Sequence, residues 1–285
     1  MKKMTRILSI ASCLFFLTAC GQETSKNDQT MKEIPKHQEQ WEFYFGQVDY
    51  KLTSINVDLG LRDIAPIKGL SNVGYITVKM NNPREDGLSS QEESETLFQM
   101  EDSLIKAATK DNNSIYIGRN TSDNNRELYF YIANTVIWDK QVSETMAQFP
   151  TYQYDHGHKP DESWGGYFDF LYPAPQEMQS ILNRRVIAQL EQGGDPLTKE
   201  REVNHWINFK TEPDREKYAE QVKADGFKIE DMSYNGKDDF PYSLRISRID
   251  KVDYGSIDDY TIGLWQLAAK LNGDYDGWET SIEKE

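Results

Sequence analysis

The sequence is short of cysteine, histidine and positive charge. It has 2 cysteines, Cys13 and Cys20, and 4 histidines in 285 residues. With both thiols that close to the N-terminus, the rest of the chain has no disulfide and no cysteine metal site, so its stability must come from packed cores. Lysine and arginine number 32 against 47 aspartates and glutamates, a formal net charge of −15. So acidic a chain is a poor match for nucleic acid, whose phosphates need basic patches, but it suits a basic protein partner. No apolar run approaches the roughly 20 residues of a membrane-spanning helix. No H-E-x-x-H, G-x-S-x-G, P-loop or G-x-G-x-x-G occurs. No catalytic residue and no cofactor follow from a motif, and the chain is read as a binding protein rather than an enzyme. What is present is a hydrophobic fraction of 38% and an aromatic fraction of 12%, enough for real cores.

The first twenty residues have the order of an export signal. Lys2, Lys3 and Arg6 precede the apolar run Ile7 to Leu17, which is too short to stay in a membrane as a spanning helix. Leu17-Thr18-Ala19-Cys20 then matches the bacterial lipoprotein signal. That resemblance implies cleavage before Cys20 and a diacylglyceryl group on its sulfur. The expectation is a signal peptide at 1–19, a lipidated polar tether at 20–38, and attachment to the cell membrane or outer membrane, facing away from the cytoplasm. Removing Lys2, Lys3 and Arg6 with the leader, and no acidic residue, lowers the net charge from −15 to −18.

A first domain is expected at 39–173. Trp41 to Phe45 is a strand-like aromatic run, and Ile55, Val57, Leu59 and Leu61 alternate with polar residues or glycine. Ile76, Val78 and Met80 repeat the alternation. Ser90 and Glu93 form a capping box before a helix that aligns Leu97, Met100, Leu104 and Ala108 on one face. Ile115 to Gly118 and Leu128 to Ile132 are expected strands around a polar turn. A helix through Trp138, Val142, Met146 and Phe149 ends at Pro150. Tyr152 to Tyr154 and Tyr167 to Tyr172 are two more expected strands, with a loop at Asp155 to Pro160 between them. This order resembles the uncharacterised bacterial family DUF695 over about residues 40–150. The likeness rests on the Trp41 to Tyr44 strand, the Ile55 strand, Gly87-Leu88 before a helix containing Glu101-Asp102, and Arg126-Glu127-Leu128-Tyr129-Phe130-Tyr131. Ser89 stands where proline is expected. The family implies no activity.

Pro173-Ala174-Pro175 breaks both periodicities and marks a boundary, with a second domain expected at 176–285. A helix carries Met178, Ile181, Leu182, Val186 and Leu190 and stops at Gly193-Gly194. Val203, His205, Ile207 and Phe209 alternate as a strand. Pro213 opens a helix that Gly226 ends, and two strands pair across Asn235-Gly236. A helix from Ser256, capped with Asp259 and stopped at Gly273, closes the domain. The fold class is α+β, two α/β sandwiches, the second a ferredoxin-like βαββα core preceded by a helix. This half resembles the RraB family, small acidic regulators that bind and inhibit the endoribonuclease RNase E. Asp195 after the glycine pair, the Val203, His205 and Phe209 strand, Gly226-Phe227, and Tyr275-Asp276-Gly277-Trp278 carry that likeness. It implies a protein-binding role. An exported chain does not meet a cytoplasmic ribonuclease, so the protein partner is left unnamed.

Four groups of residues invite chemistry. His156 and His158 form an H-x-H pair that could hold zinc, though a solvated loop also explains them. Asn272, Asp274, Asp276 and Glu283 have the spacing of a calcium loop, but asparagine takes the first place and no exit helix follows. No metal is therefore expected at either. His205, on an apolar strand face, is expected to be a hydrogen-bonded core histidine. The aromatics from Trp41 to Tyr50 could be an exposed platform, but alternating aromatics usually face a core. The expectation is a membrane-anchored, non-enzymatic interaction module, regulatory or inhibitory toward a protein. The alternative is a metal-dependent enzyme or hydrolase in a cleft between the domains.

Overall fold

The computed structural model describes residues 33–236 and 238–284. The expected signal peptide, Cys20 and the first part of the tether lie outside the described residues. From Ile34 the chain is held: Ile34 packs on the first core, and His37 Nε2 lies 2.6 Å from the Asp58 carboxylate.

The first half is built on one antiparallel sheet. β1 (Trp41–Val48) and β2 (Lys51–Asp58) form a hairpin. Its two turn residues, Asp49 and Tyr50, have φ of 50° and 64°, as the tight primed turns require. β3 (Asn72–Lys79), α1 (Gln91–Thr109), β4 (Ser114–Ser122), β5 (Asn125–Ile132), α2 (Thr135–Met146) and β6 (Tyr154–Pro160) follow. The strand order is β1-β2-β4-β5-β3-β6. Helices α1 and α2 cover one face, where Leu97, Met100, Leu104, Trp138 and Val142 meet Ile76, Val78, Leu128 and Phe130. A short 3-10 turn (Leu59–Asp63) and a π-helix (Gly166–Leu171) cover the other, over Ile55, Val57, Val73 and Tyr131. There Trp164 stacks flat on Tyr131 at 3.9 Å.

Several expectations need correcting. The stretch Asp155 to Pro160 is not a loop but edge strand β6, paired to β3. Gly157 faces Tyr75 in that pairing, and the Tyr75 ring fills the space where a side chain would stand. Tyr167 to Tyr172 is not a strand: the aromatic run lies in the π-helix, whose Tyr167 hydroxyl donates to the Asp58 carbonyl. The capping box at α1 is only half made. Ser90 accepts from the Glu93 amide, but the Glu93 carboxylate turns away to the amides of Asn81 and Asn82, 2.7 Å each.

The second half comprises α3 (Pro175–Gln192), β7 (Arg201–Phe209), α4 (Glu212–Ala224), β8 (Lys228–Tyr234), β9 (Tyr242–Asp250), α5 (Ser256–Lys270) and β10 (Gly273–Thr280). The sheet order β10-β7-β9-β8, antiparallel throughout, is that of a ferredoxin-like βαββαβ unit. The expected core thus gains a closing strand. A bulge between Tyr275 and Gly277 puts the two inward residues, Tyr275 and Trp278, three apart and hides the period of two. The ends of α5 also differ from expectation. Asp253, not Ser256, caps it, accepting from the amides of Gly255 and Ser256. Asn272, not Gly273, takes the positive φ of 54° at its end. Gly273 is needed for another reason: a Cβ there would lie 2.6 Å from the Phe209 ring.

Helix α3 serves both halves. Ile181 belongs to the first core, while Ile187 and Leu190 pack with Val203 and Trp278 in the second. Between them Asn183 is fully buried and fully used. Its amide donates to Asp258 and Thr261, and its carbonyl accepts from Gln179 and from the Trp278 indole. One side chain therefore ties α3 to α5 and β10.

Candidate functional site

In the first half the family-like stretches converge on one buried charge cluster. Glu101, on the sheet face of α1, is pulled under by Leu97, Met100 and Leu104 one turn either side. Its carboxylate accepts from Tyr116 and Arg119 of β4 at 2.8 Å and from Arg126 of β5 at 3.3 Å. Both guanidinium groups also lie against the Phe98 ring, at 5.1 and 4.9 Å. Two arginines around one carboxylate leave an excess of positive charge. Burial, and then the Arg119 charge, lower the Arg126 pKa, and burial raises that of Tyr116 well above its ordinary value. Arg119 has no signal in the sequence. It is the residue that residue-type spacing misses, since the contact spans 18 positions and joins a helix to a strand. The adjoining cavity of about 570 Å³ touches Glu101 and Tyr116 and is walled by Trp41, Ile105 and Ile115.

His156 and His158 both turn to the same side of β6, as alternate strand residues do. They face Asp139 of α2, with nitrogen to oxygen distances of 3.7 and 3.4 Å. The strand thus brings together a pair that the sequence leaves in a loop. Asn272, Asp274 and Asp276 lie at or on β10, and the Glu283 amide donates to Asp195. An extended strand points Asp274 away from the core and cannot wrap a cation as a loop does. Among the described residues, no group of three or more His, Cys, Asp or Glu side chains is arranged to hold a metal ion.

In the second half the inward sheet face is a sealed core. His205 is fully buried, and its Nδ1 pairs with the Tyr275 hydroxyl at 2.8 Å. Its Nε2 has no protein partner among the described residues. Burial, then the nearby Arg248 charge, lower its pKa to about 3, so the ring is neutral at ordinary pH. Asp195, which follows the glycine pair, is locked to Arg201 by two hydrogen bonds, one of 3.0 Å, with both side chains buried. These bonds hold its carboxyl down to about 2.

The outward face of the same sheet has no element packed on it among the described residues. Glu202, Asn204, Trp206 and Asn208 of β7 alternate outward against the buried Val203, His205, Ile207 and Phe209. Trp206 pairs across the ladder with Arg245 on one side and Gly277 on the other. Asp274 and Glu279 stand on the neighbouring β10 opposite Asn208 and Asn204. The result is a flat polar surface centred on one half-buried indole and rimmed by carboxylates.

The junction of the halves holds a cavity of about 670 Å³ between β1 and α3. Arg184 lies over the Phe43 ring at 4.6 Å and donates to the Phe43 carbonyl; Arg185 pairs with Glu42 at 2.6 Å. No histidine, cysteine or serine lines it.

Comparison with known proteins separates the same two halves. Residues 39–172 match the family described as "Family of unknown function (DUF695)", and residues 180–280 match "Regulator of ribonuclease activity B", abbreviated RraB. No curated protein matches the chain. A solved structure titled "putative glycine cleavage system transcriptional repressor" covers 74% of this chain and 98% of its own, at 10% identity and a TM-score of 0.21. At that score the likeness says nothing about this chain. Two family models, then, cover 39–172 and 180–280 and leave the N-terminal stretch, 173–179 and 281–285 unmatched: the first half is similar to DUF695 and the second to RraB.

Proposed function

We propose that the protein is a membrane-anchored, non-enzymatic lipoprotein whose RraB-like half binds a protein and regulates or inhibits it. The observation that carries this reading is the uncovered sheet face around Trp206 in the half that matches a family of regulators. A large aromatic surrounded by hydrogen-bonding and charged groups is the usual centre of an interface. The rim of Glu202, Asp274 and Glu279 suits a basic surface on the partner. Anchoring rests on the order of charge, apolar run and Leu17-Thr18-Ala19-Cys20 in the sequence.

The test is capture on the intact, membrane-extracted protein. Wild type should retain one defined partner. Trp206→Ala with Arg245→Glu should release it, and Lys140→Ala on α2 should not. Cys20→Ser should move the protein out of the membrane fraction or leave it unprocessed. Retention unaffected by the Trp206 and Arg245 changes would overturn the binding face, and a Cys20→Ser protein that fractionates like wild type would overturn the anchor. A catalytic site at the domain junction would instead show as turnover lost with Arg184→Ala.

A further inference from the structure

The aromatic run at β1 is only partly covered: Trp41 stacks on the core residue Tyr116 at 5.3 Å, and its outer rings stay open. Trp41, Phe43 and Phe45 point out from the edge strand with 38%, 46% and 54% of their surface exposed, and only Tyr44 between them is buried. Tyr50 at the hairpin turn is 98% exposed, and Leu52 is exposed beside it. Five large apolar side chains of one hairpin are therefore partly or wholly open to solvent. The other exposed ones among the described residues are scattered over both halves. Contiguous exposure of this kind marks a surface that is covered in use.

We propose that the β1–β2 hairpin seats the protein on the bilayer, its aromatic rings lying among the lipid headgroups. The proposal rests on the anchoring reading, because the occupant is identified by where the chain outside the structure leads. β1 is the first strand after the tether, and the stretch from Cys20 to Ile34, where the chain is held, extends to at most about 50 Å. A lipid on Cys20 would hold this hairpin within reach of the membrane throughout. Aromatic side chains with one polar end favour the headgroup layer, and a covalent lipid of one or two chains gains from a second membrane contact. The local charge agrees. Although the chain is strongly acidic, Lys51 pairs with Asp123 and Arg185 with Glu42. The Trp41 indole donates to Glu39, and Arg184 lies over Phe43, which leaves Asp49 as the one unpaired carboxylate at the tip among the described contacts. A near-neutral aromatic patch suits zwitterionic headgroups and contact that salt does not dissolve.

The experiment uses the whole lipidated protein in phosphatidylcholine vesicles. Once Cys20 carries lipid the mature chain has no other thiol, so Gln47→Cys, on the outward face beside Phe45, and Ile249→Cys, on the open face of the second sheet, each take a single fluorophore. The expected result is several-fold slower iodide quenching at position 47 than at 249, unchanged by added salt. It should vanish in the Phe43→Ser, Phe45→Ser double variant. Equal quenching at both positions, or protection that survives the double variant, overturns the proposal. Protection without vesicles means that a second copy of the chain covers the hairpin, and overturns it as well. A second labelled thiol reports that Cys20 is unmodified, which is failure of the anchoring reading alone. The Cys20→Ser background, with vesicles added in excess, then reads the same difference between positions 47 and 249.

Discussion

The two sheets are packed to opposite standards. In the DUF695 half, residues on both sides of the central strands are buried, so that β4 is nearly buried end to end. In the RraB-like half the central strand β7 alternates strictly between buried and partly exposed residues, and only one side of the sheet has helices on it. A sheet buried on both faces spends its side chains on its own stability; one left open on a face keeps half of them for something else. The difference assigns scaffold and display to different halves, except at the β1 edge, where the first sheet runs out from under α1.

Three measurements would break or sharpen that contrast. The largest effect belongs to buried indoles, whichever half holds them. Trp164→Ala and Trp278→Ala should each cost about 3–5 kcal/mol in urea denaturation. If Trp278→Ala is nearly neutral, the inward face of the second sheet is not the core described here.

A middle-sized effect is set by acid and belongs to the second half. Arg201 holds Asp195 at about 2 against an ordinary 3.8. A depressed carboxylate contributes stability that is complete above its unfolded value and lost as pH falls through about 2. It amounts to about 2 kcal/mol. His205, lowered from 6.5 to about 3, acts with the same sign but earlier, since only the unfolded chain takes up the proton between those values. Acid titration of stability should therefore bend downward below about pH 6.5 and again below about pH 4. His205→Gln should remove the upper bend and leave the lower.

The smallest effect is the most diagnostic. Trp206→Ala should cost clearly less than Trp278→Ala, about 1–2 kcal/mol, because the ring lies against its sheet neighbours with no helix packed over it. A cost near that of Trp278→Ala would mean that the outward face supports the fold, and the contrast between the sheets would fail.

Much of this architecture is legible in the sequence. Where one face is apolar and the other polar, as in β2, β7 and α1, periodicity alone places the element. It fails where an edge strand needs no apolar face: between Tyr154 and Pro160, β6 is polar residues and glycine, and β10 shows two inward aromatics at the wrong spacing. It misleads where aromatics are not buried, because the run from Trp41 to Phe45 carries the signature of a core strand but buries only Tyr44. The π-helix at Gly166–Leu171 has the composition of a strand and the geometry of a helix, and only its hydrogen bonds tell them apart. Of the candidate sites, the sequence offers Glu101 and Arg126 as family marks without their contact. It is silent on Arg119 and Asn183, each of which depends on partners far along the chain, whereas the alternation of β7 already turns Trp206 outward.

Helix α3 makes the protein divisible in a particular way. The first family match ends at Tyr172, but the packing changes hands inside the helix, between Ile181 and Ile187. A fragment cut at residue 174 leaves Ile181 and Met178 behind and opens the floor of the first core beneath Leu171 and Tyr44. A fragment carried on to Gln192 keeps that floor and takes Asn183, Ile187 and Leu190 from the other side. Neither boundary gives both pieces everything they use. The helix behaves as a shared wall between two rooms, and whichever piece lacks it is the one to find unroofed.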